Sequence, residues 1–379
     1  MTTRERGMKC EARKNVTAIP DFVPDPPIRC REFRIGAVGA GFIMADVQLA
    51  SYKKAGFPVV AIASRTEAHA AQVAARWGIP KVWATPERLI EDPNVDIVDI
   101  AYPPDQQPAL IRYALGQKHI KAILAQKPLA LDLATARSLV AEVRAAGKLM
   151  SVNQNMRFDQ SMRVLRQILD RKLLGEPVIA TIEMRAIPHW QAFLADYDRL
   201  TLLNMSIHHF DALRFLFGDP IDIYTAARPD PRTSFTHSDG ICVSTLRFPS
   251  GLLATSMEDV WSGPREAGFE SDIYIRWRVE GTDGLAQGTI GWPDYPNGSP
   301  STLGYCSRAT GGKWVRPSWN TMWFPDAFAG VMEQLQYALK SGTAPELDAA
   351  DNIGTMALVE ASYRSVGERR AVALAEFGV

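Results

Sequence analysis

Lys127 and His208 are the two side chains whose type and setting best fit a chemical role. Lys127 stands in Gln126-Lys127-Pro128, directly after an apolar run at 121–124 that reads as a β-strand. A residue before proline is held extended, or its peptide bond is cis, so the direction of the lysine side chain is fixed. An ammonium held beside a carbinol can hydrogen-bond its oxygen, stabilise developing alkoxide character and depress the pKa of nearby acids. His208 belongs to the set Asn204, His208 and Asp211, spaced i, i+4, i+7, which a helix brings to one face. A neutral imidazole there could take a hydroxyl proton. The plain alternatives are an exposed loop lysine and a packing histidine on an apolar helix. The position of Lys127 at a sheet's carboxyl edge favours chemistry. His209 points elsewhere and reads as a core or interface histidine.

The third signal is a glycine turn. Gly39-Ala40-Gly41 follows the apolar run 35–38 and precedes an apolar stretch that begins with Phe42 and Ile43. Bare glycines let a backbone approach phosphates, and a helix N-terminus supplies unpaired N–H groups, so the junction suits a pyrophosphate. Met44 stands where a third glycine would let the helix pack close. The second strand ends in Ala63-Ser64-Arg65-Thr66. A protein selective for NAD places an acid there, whereas arginine accommodates a 2′-phosphate. Ser64 and Arg65 therefore point to NADP, with NAD the alternative and a solvated loop cation the plain reading of Arg65. Ala101-Tyr102-Pro103-Pro104 follows the strand at 97–100, so Tyr102, Pro103 and Pro104 share the sheet edge with Gln126 and Lys127, where a nicotinamide would lie.

These residues need elements to position them. From 34 to about 155, β-rich runs at 34–38, 59–63, 97–100, 121–124 and 149–152, with a weaker one at 81–83, alternate with helical stretches. Helices are expected near 42–56, 67–77, 86–91, 105–116 and 132–146, with Gly78 stopping the second. This predicts βαβ units and a doubly wound parallel sheet, an α/β Rossmann domain over 34–155. From 156 to 379 the texture changes to strand-like runs at 178–187, 221–226, 241–248, 252–260 and 273–280, with helices near 162–174, 200–217, 326–341 and 350–368. That half reads as an α+β domain with a large, mostly antiparallel open sheet. Residues 288–325, rich in Gly, Pro and Trp, read as long loops, and 1–33 as an N-terminal arm, disordered or packed on a partner subunit.

Size and composition set the bounds. A chain of 379 residues suits two domains and a sizeable core. Lys plus Arg balances Asp plus Glu at 42 each, so no charge bias draws nucleic acid or acidic membranes, and a small molecule is the expected partner. The four cysteines, Cys10, Cys30, Cys242 and Cys306, form no CxxC pair, as suits a reducing cytoplasm. No stretch reaches the length of a membrane span, and no apolar segment follows the early basic residues as in a secretory leader. His189, His208, Asp211 and His237 lack any tight ligand spacing, so no metal site is expected. No GxSxG elbow or Walker loop is present, which sets hydrolase and NTPase readings aside.

Together the glycine turn, Ser64-Arg65, Gln126-Lys127-Pro128, Asn155-Met156-Arg157-Phe158, Asn204 to Asp211 and the turn Gly281-Thr282-Asp283-Gly284 resemble the glucose–fructose oxidoreductase/inositol dehydrogenase (Gfo/Idh/MocA) family over about 34–370. The resemblance implies a Rossmann domain followed by a sheet domain often used for dimer or tetramer contacts. It makes Lys127 the catalytic lysine, His208 the proton shuttle, and Asn155, Arg157, Asn204 and Asp211 substrate-binding candidates. Gln126 and Asn204 depart from the acids that the family carries at those two positions. Trp190, beside His189, could offer a sugar ring a stacking face. The expected activity is NAD(P)-dependent hydride transfer to or from a carbinol carbon of a sugar, cyclic polyol or sugar derivative. Two further readings fit the same scaffold: a glycosidase or lyase that oxidises a ring carbon transiently, and a nucleotide-binding sensor without turnover.

Overall fold

The structure is a computed structural model of the chain and describes residues 21–185, 192–259, 273–291 and 298–379. Its first sheet is built from β1 (Ile35–Val38), β2 (Val59–Ala63), β3 (Lys81–Trp83), β4 (Ile97–Ile100), β5 (Ala122–Ala125) and β6 (Leu149–Val152). All the pairings are parallel, in the order β3-β2-β1-β4-β5-β6. Between the strands run α1 (Ile43–Gln48 continuing as Leu49–Ala55), α2 (Glu67–Trp77), α3 (Pro86–Ile90), α4 (Gln107–Leu115) and α5 (Leu133–Ala145). The central strands β1, β4 and β5 are buried throughout, as short apolar runs covered on both faces must be. The strand order reverses between β1 and β4, so the loops leaving them diverge and open a crevice.

Gly39 makes the turn after β1 possible. Its φ is +118°, and a Cβ there would lie 2.6 Å from the Ala101 carbonyl oxygen. The first part of α1, Ile43–Gln48, is a π-helical turn, and the fully buried Met44 lies within this wider stretch. Gly78, with φ +71°, ends α2 as its position in the sequence predicts.

The second half begins with a short turn at Asn155–Phe158 and α6 (Gln160–Asp170), capped by Asp159, whose Oδ1 accepts from the Ser161 N–H at 2.9 Å. β7 (Pro177–Arg185) follows, and then a π-helical turn, Leu202–Ser206, leads into α7 (Ile207–Phe217). β8 (Asp222–Arg228), β9 (Ile241–Arg247), β10 (Leu253–Asp259), β11 (Tyr274–Gly281), β12 (Gly284–Ile290) and β13 (Thr302–Ser307) come next. The chain closes with α8 (Ala327–Ser341), α9 (Ala349–Glu368) and β14 (Val372–Ala373). The sheet order is β13-β12-β11-β7-β10-β9-β8-β14, antiparallel except for the β7–β10 pair. α9 lies against both β8 and α5, and α8 against both α1 and the turn at Asn155–Phe158, so the two closing helices bridge the halves.

Two expectations are corrected. Residues 288–325 are not loop throughout: β12 runs to Ile290 and β13 pairs with it. The glycines there mark close packing, since a Cβ on Gly288 would stand 2.1 Å from the Thr302 carbonyl oxygen and 2.5 Å from the Trp277 ring. The arm is not a free tail from residue 21 onward, and it is bonded to its own chain. Phe22 meets Tyr305 edge-on, the Val23 N–H donates to Gln167, and Gln160 donates to Asp25. Arg29 pairs with the buried Glu333 at 2.8 Å, Arg31 donates to the Ala55 carbonyl, and the Phe33 N–H donates to Gln336. The arm's first 20 residues lie outside the described part.

Candidate active site

One cavity of about 470 Å³, within the usual range of small-molecule sites, lies at the carboxyl ends of β1, β2, β4 and β5. It gathers Gly39, Gly41, Phe42, Ile43, Ser64, Arg65, Tyr102, Pro103, Pro104, Gln126 and Lys127 from the first half. From the second half come Asn155, Asn204 and His208. Arg157 and Asp211 do not line it. Trp190, with His189, lies outside the described residues.

Lys127 Nζ donates to the Asn204 backbone oxygen at 2.6 Å and to Asn204 Oδ1 at 3.2 Å. The Lys127–Pro128 peptide bond is cis. Burial pulls the Lys127 ammonium down to about 7, so it can give up or hold a proton near neutral pH. His208 is held well below the usual histidine range, first by burial and then by the charges of Lys127 and His209. It is therefore a neutral base at physiological pH. Its Nδ1 is buried and has no partner among the described residues, and its ring meets Trp323 edge-on at 6.2 Å. The chemistry available is an ammonium and a neutral imidazole facing one cavity.

Asp211 shows why spacing alone misleads. Seven residues of helix rise about 10 Å, and the π turn at Leu202–Ser206 offsets the register before α7 begins. Asp211 is fully buried in a bidentate pair with Arg157, at 2.6 and 2.7 Å, and accepts from Thr355 at 2.8 Å. Arg157 also reaches Asp351 at 2.7 Å, and these acids outweigh burial to raise its pKa. His209 is a core histidine, its Nδ1 2.8 Å from Glu258 and 2.9 Å from Ser256.

The crevice fits a dinucleotide on three observations. Gly41 lines the cavity, and a Cβ added there meets nothing, so its backbone faces open space at the start of α1. Tyr102 lines the cavity at the carboxyl end of β4, with its hydroxyl at the backbone of Arg65, so the two strand ends meet at the cavity edge. Arg65 is exposed just past the end of β2, and Ala63-Ser64-Arg65-Thr66 contains no acid, while Ser64 turns its hydroxyl onto the Thr66 carbonyl at 2.8 Å. Sequence reasoning missed the apolar wall: Met184, Phe193, Met205, Ile275, Trp323 and Phe324. Met184 and Ile275 left a signal, as alternate buried positions of β7 and β11. Trp323 is placed by donating from Nε1 to Asn155 Oδ1 at 3.0 Å. No group of three or more His, Cys, Asp or Glu among the described residues is arranged to hold a metal ion, and no helix there is long and apolar enough to cross a membrane.

Residues 33–154 match the description "Oxidoreductase family, NAD-binding Rossmann fold", and residues 162–287 match the GFO/IDH/MocA C-terminal domain. The chain belongs to the GFO/IDH/MocA oxidoreductase family. It is 32% identical over 260 residues to trans-1,2-dihydrobenzene-1,2-diol dehydrogenase of Sus scrofa, covering 67% of this chain and 73% of that protein. It is 27% identical over 354 residues to D-apiose dehydrogenase of Rhizobium rhizogenes, covering 90% and 97%. An oxidoreductase from Agrobacterium radiobacter, solved in complex with NAD+, L-tartaric acid and magnesium, superposes with a TM-score of 0.77 at 24% identity, covering 91% of this chain and 99% of that one. In this GFO/IDH/MocA chain the Lys127 ammonium is bonded to Asn204, and no carboxylate among the described residues bonds it.

Proposed function

We propose that the protein is an NADP-preferring dehydrogenase or reductase that moves a hydride between nicotinamide and the carbinol or carbonyl carbon of a sugar, cyclic polyol or sugar derivative. The observation that supports this most is the meeting of Lys127 and His208 in the crevice beside the glycine turn. The relatives named above are named for D-apiose and for trans-1,2-dihydrobenzene-1,2-diol. A bound nicotinamide dinucleotide supplies the carbon that accepts or gives the hydride. Gly39 and Gly41 would admit its pyrophosphate and Arg65 its 2′-phosphate. His208, neutral and desolvated, takes the hydroxyl proton in the oxidative direction. Lys127, held by Asn204, donates to the same oxygen and stabilises its developing charge. Trp323 and the methionine wall exclude water from one side of the site.

The test follows reduced-nicotinamide absorbance with NADP and NAD across a panel of sugars, inositols and cyclic diols. Lys127→Ala and His208→Ala are each expected to lose about 10²-fold or more in turnover while binding cofactor unchanged. Full activity in both variants would overturn the assignment of roles. Arg65→Ala should erase a preference for NADP and leave NAD turnover in place.

A further inference from the structure

Behind the cavity a buried acid stands at the end of a chain of amides. Asp99 on β4 is 1% exposed, and no arginine, lysine or histidine among the described residues bonds to it. Gln48 Nε2 donates to both of its oxygens, at 2.8 and 2.7 Å, and Tyr52 Oη donates to Oδ2 at 2.7 Å. Gln126 Nε2 then donates to Gln48 Oε1 over a long 3.5 Å, and Lys127 N–H donates to Gln126 Oε1 at 3.2 Å. Burial pushes the Asp99 carboxyl up to about 7 while the bonds from Tyr52 and Gln48 pull against that rise. Those donors are what such a group needs to keep its charge.

The chain runs one way. While Asp99 is ionised it only accepts, so Gln48 turns its NH2 towards Asp99 and its oxygen towards Gln126. Gln126 must then turn its own NH2 towards Gln48 and its oxygen towards the Lys127 N–H. With an amide in place of the acid, either glutamine could flip and set an NH2 against that N–H. The backbone of the same segment is held separately: Gln107 Nε2 donates to the Gln126, Pro128 and Leu129 carbonyls, and Gln107 Oε1 accepts from the Gln126 N–H. What Asp99 adds is the orientation of the side chain beside Lys127.

We propose that Asp99 is a positioning residue which, through Gln48 and Gln126, fixes the segment that presents Lys127 to the cavity. This rests on the catalytic reading of Lys127 given above. The test uses the full-length protein and two readouts, turnover with the best alcohol of the panel and hydrogen exchange at the Lys127 amide, the second needing no substrate. Asp99→Asn keeps the shape but removes the acceptor-only end. It should lower turnover and amide protection about tenfold each, the worth of one such bond, with cofactor affinity within about twofold. Gln48→Met severs the chain midway and should do the same, which keeps the test open if one variant folds poorly.

A carboxylate at 126 accepts the Lys127 N–H whichever way the chain points. Gln126→Glu should therefore restore both readouts in the Asp99→Asn background, yet impair the otherwise unaltered protein by facing the Gln48 oxygen. Unchanged protection and turnover in Asp99→Asn and Gln48→Met, or losses that Gln126→Glu does not recover, would overturn the proposal. If the unaltered protein oxidises and reduces nothing in the panel, the dehydrogenase reading fails, and the exchange measurements still decide the relay.

Discussion

A lysine that titrates near neutrality beside a histidine that does not sets a pH signature. Below about 7 Lys127 carries its proton, while His208, its pKa well below 6.5, remains a base through the neutral range. As pH rises through about 7 the ammonium is lost, so kcat/KM for alcohol oxidation should fall with an apparent pKa near that value. Arginine does not deprotonate in this range. In Lys127→Arg the residual activity should show no such alkaline limb, and an unchanged limb would assign the titration to another group. That Lys127 and His208 line one cavity could be read from the sequence because each stands in a recognisable local setting, a strand end before proline and an apolar helix. Asp99 could not, because an aspartate inside the strand run 97–100 gains meaning only from Gln48 and Tyr52, half a hundred positions earlier. Trp323 was hidden for the same reason, since its partner Asn155 lies on another element.

At the scale of elements, the parallel sheet was legible because its strands are short apolar runs separated by helix-length segments. β13 was not, because Thr302–Ser307 alternates weakly and its pairing with β12 depends on glycines that sequence reads as loop. The start of β4 carries a junction with a measurable weight. Asp96 accepts from the Arg34 N–H and Nε at 2.9 Å each and pairs with Lys121 at 3.0 Å, joining the starts of β1, β4 and β5. Burial raises its pKa, but the bonds from Arg34 and Lys121 outweigh it and hold the carboxyl at about 2. A depressed carboxylate stabilises the fold above its unfolded pKa of 3.8 and loses that contribution as pH falls towards about 2. Both cations are half exposed, which discounts the effect to about 1–2 kcal/mol. Asp96→Asn should cost that much in denaturant unfolding at pH 7, and the gap between the two proteins should close over that acid range. A gap that persists at pH 2 would mean the loss is packing and not charge.

For the whole molecule, the second sheet turns a mixed outer face to solvent. The register sets Ile179, Leu253, Val243 and Tyr224 on that face of four adjacent strands, each more than 40% exposed. Exposed apolar side chains on an open sheet suit a contact surface, and the family resemblance leads one to expect a second copy there. Light scattering after size exclusion should give a dimer or tetramer, and Val243→Lys with Leu253→Lys a monomer; a monomeric unaltered protein would sink the idea. The sequence placed the antiparallel sheet but not this alignment, which exists only once β7, β8, β9 and β10 are in register. The segment 21–33 has a different consequence. It is tied to α6 and β13 of the second half and to α1 of the first. Any motion of one half against the other would have to strain or peel this strip. Trimming it should therefore loosen the two halves against each other, read as faster hydrogen exchange in α1 and α6.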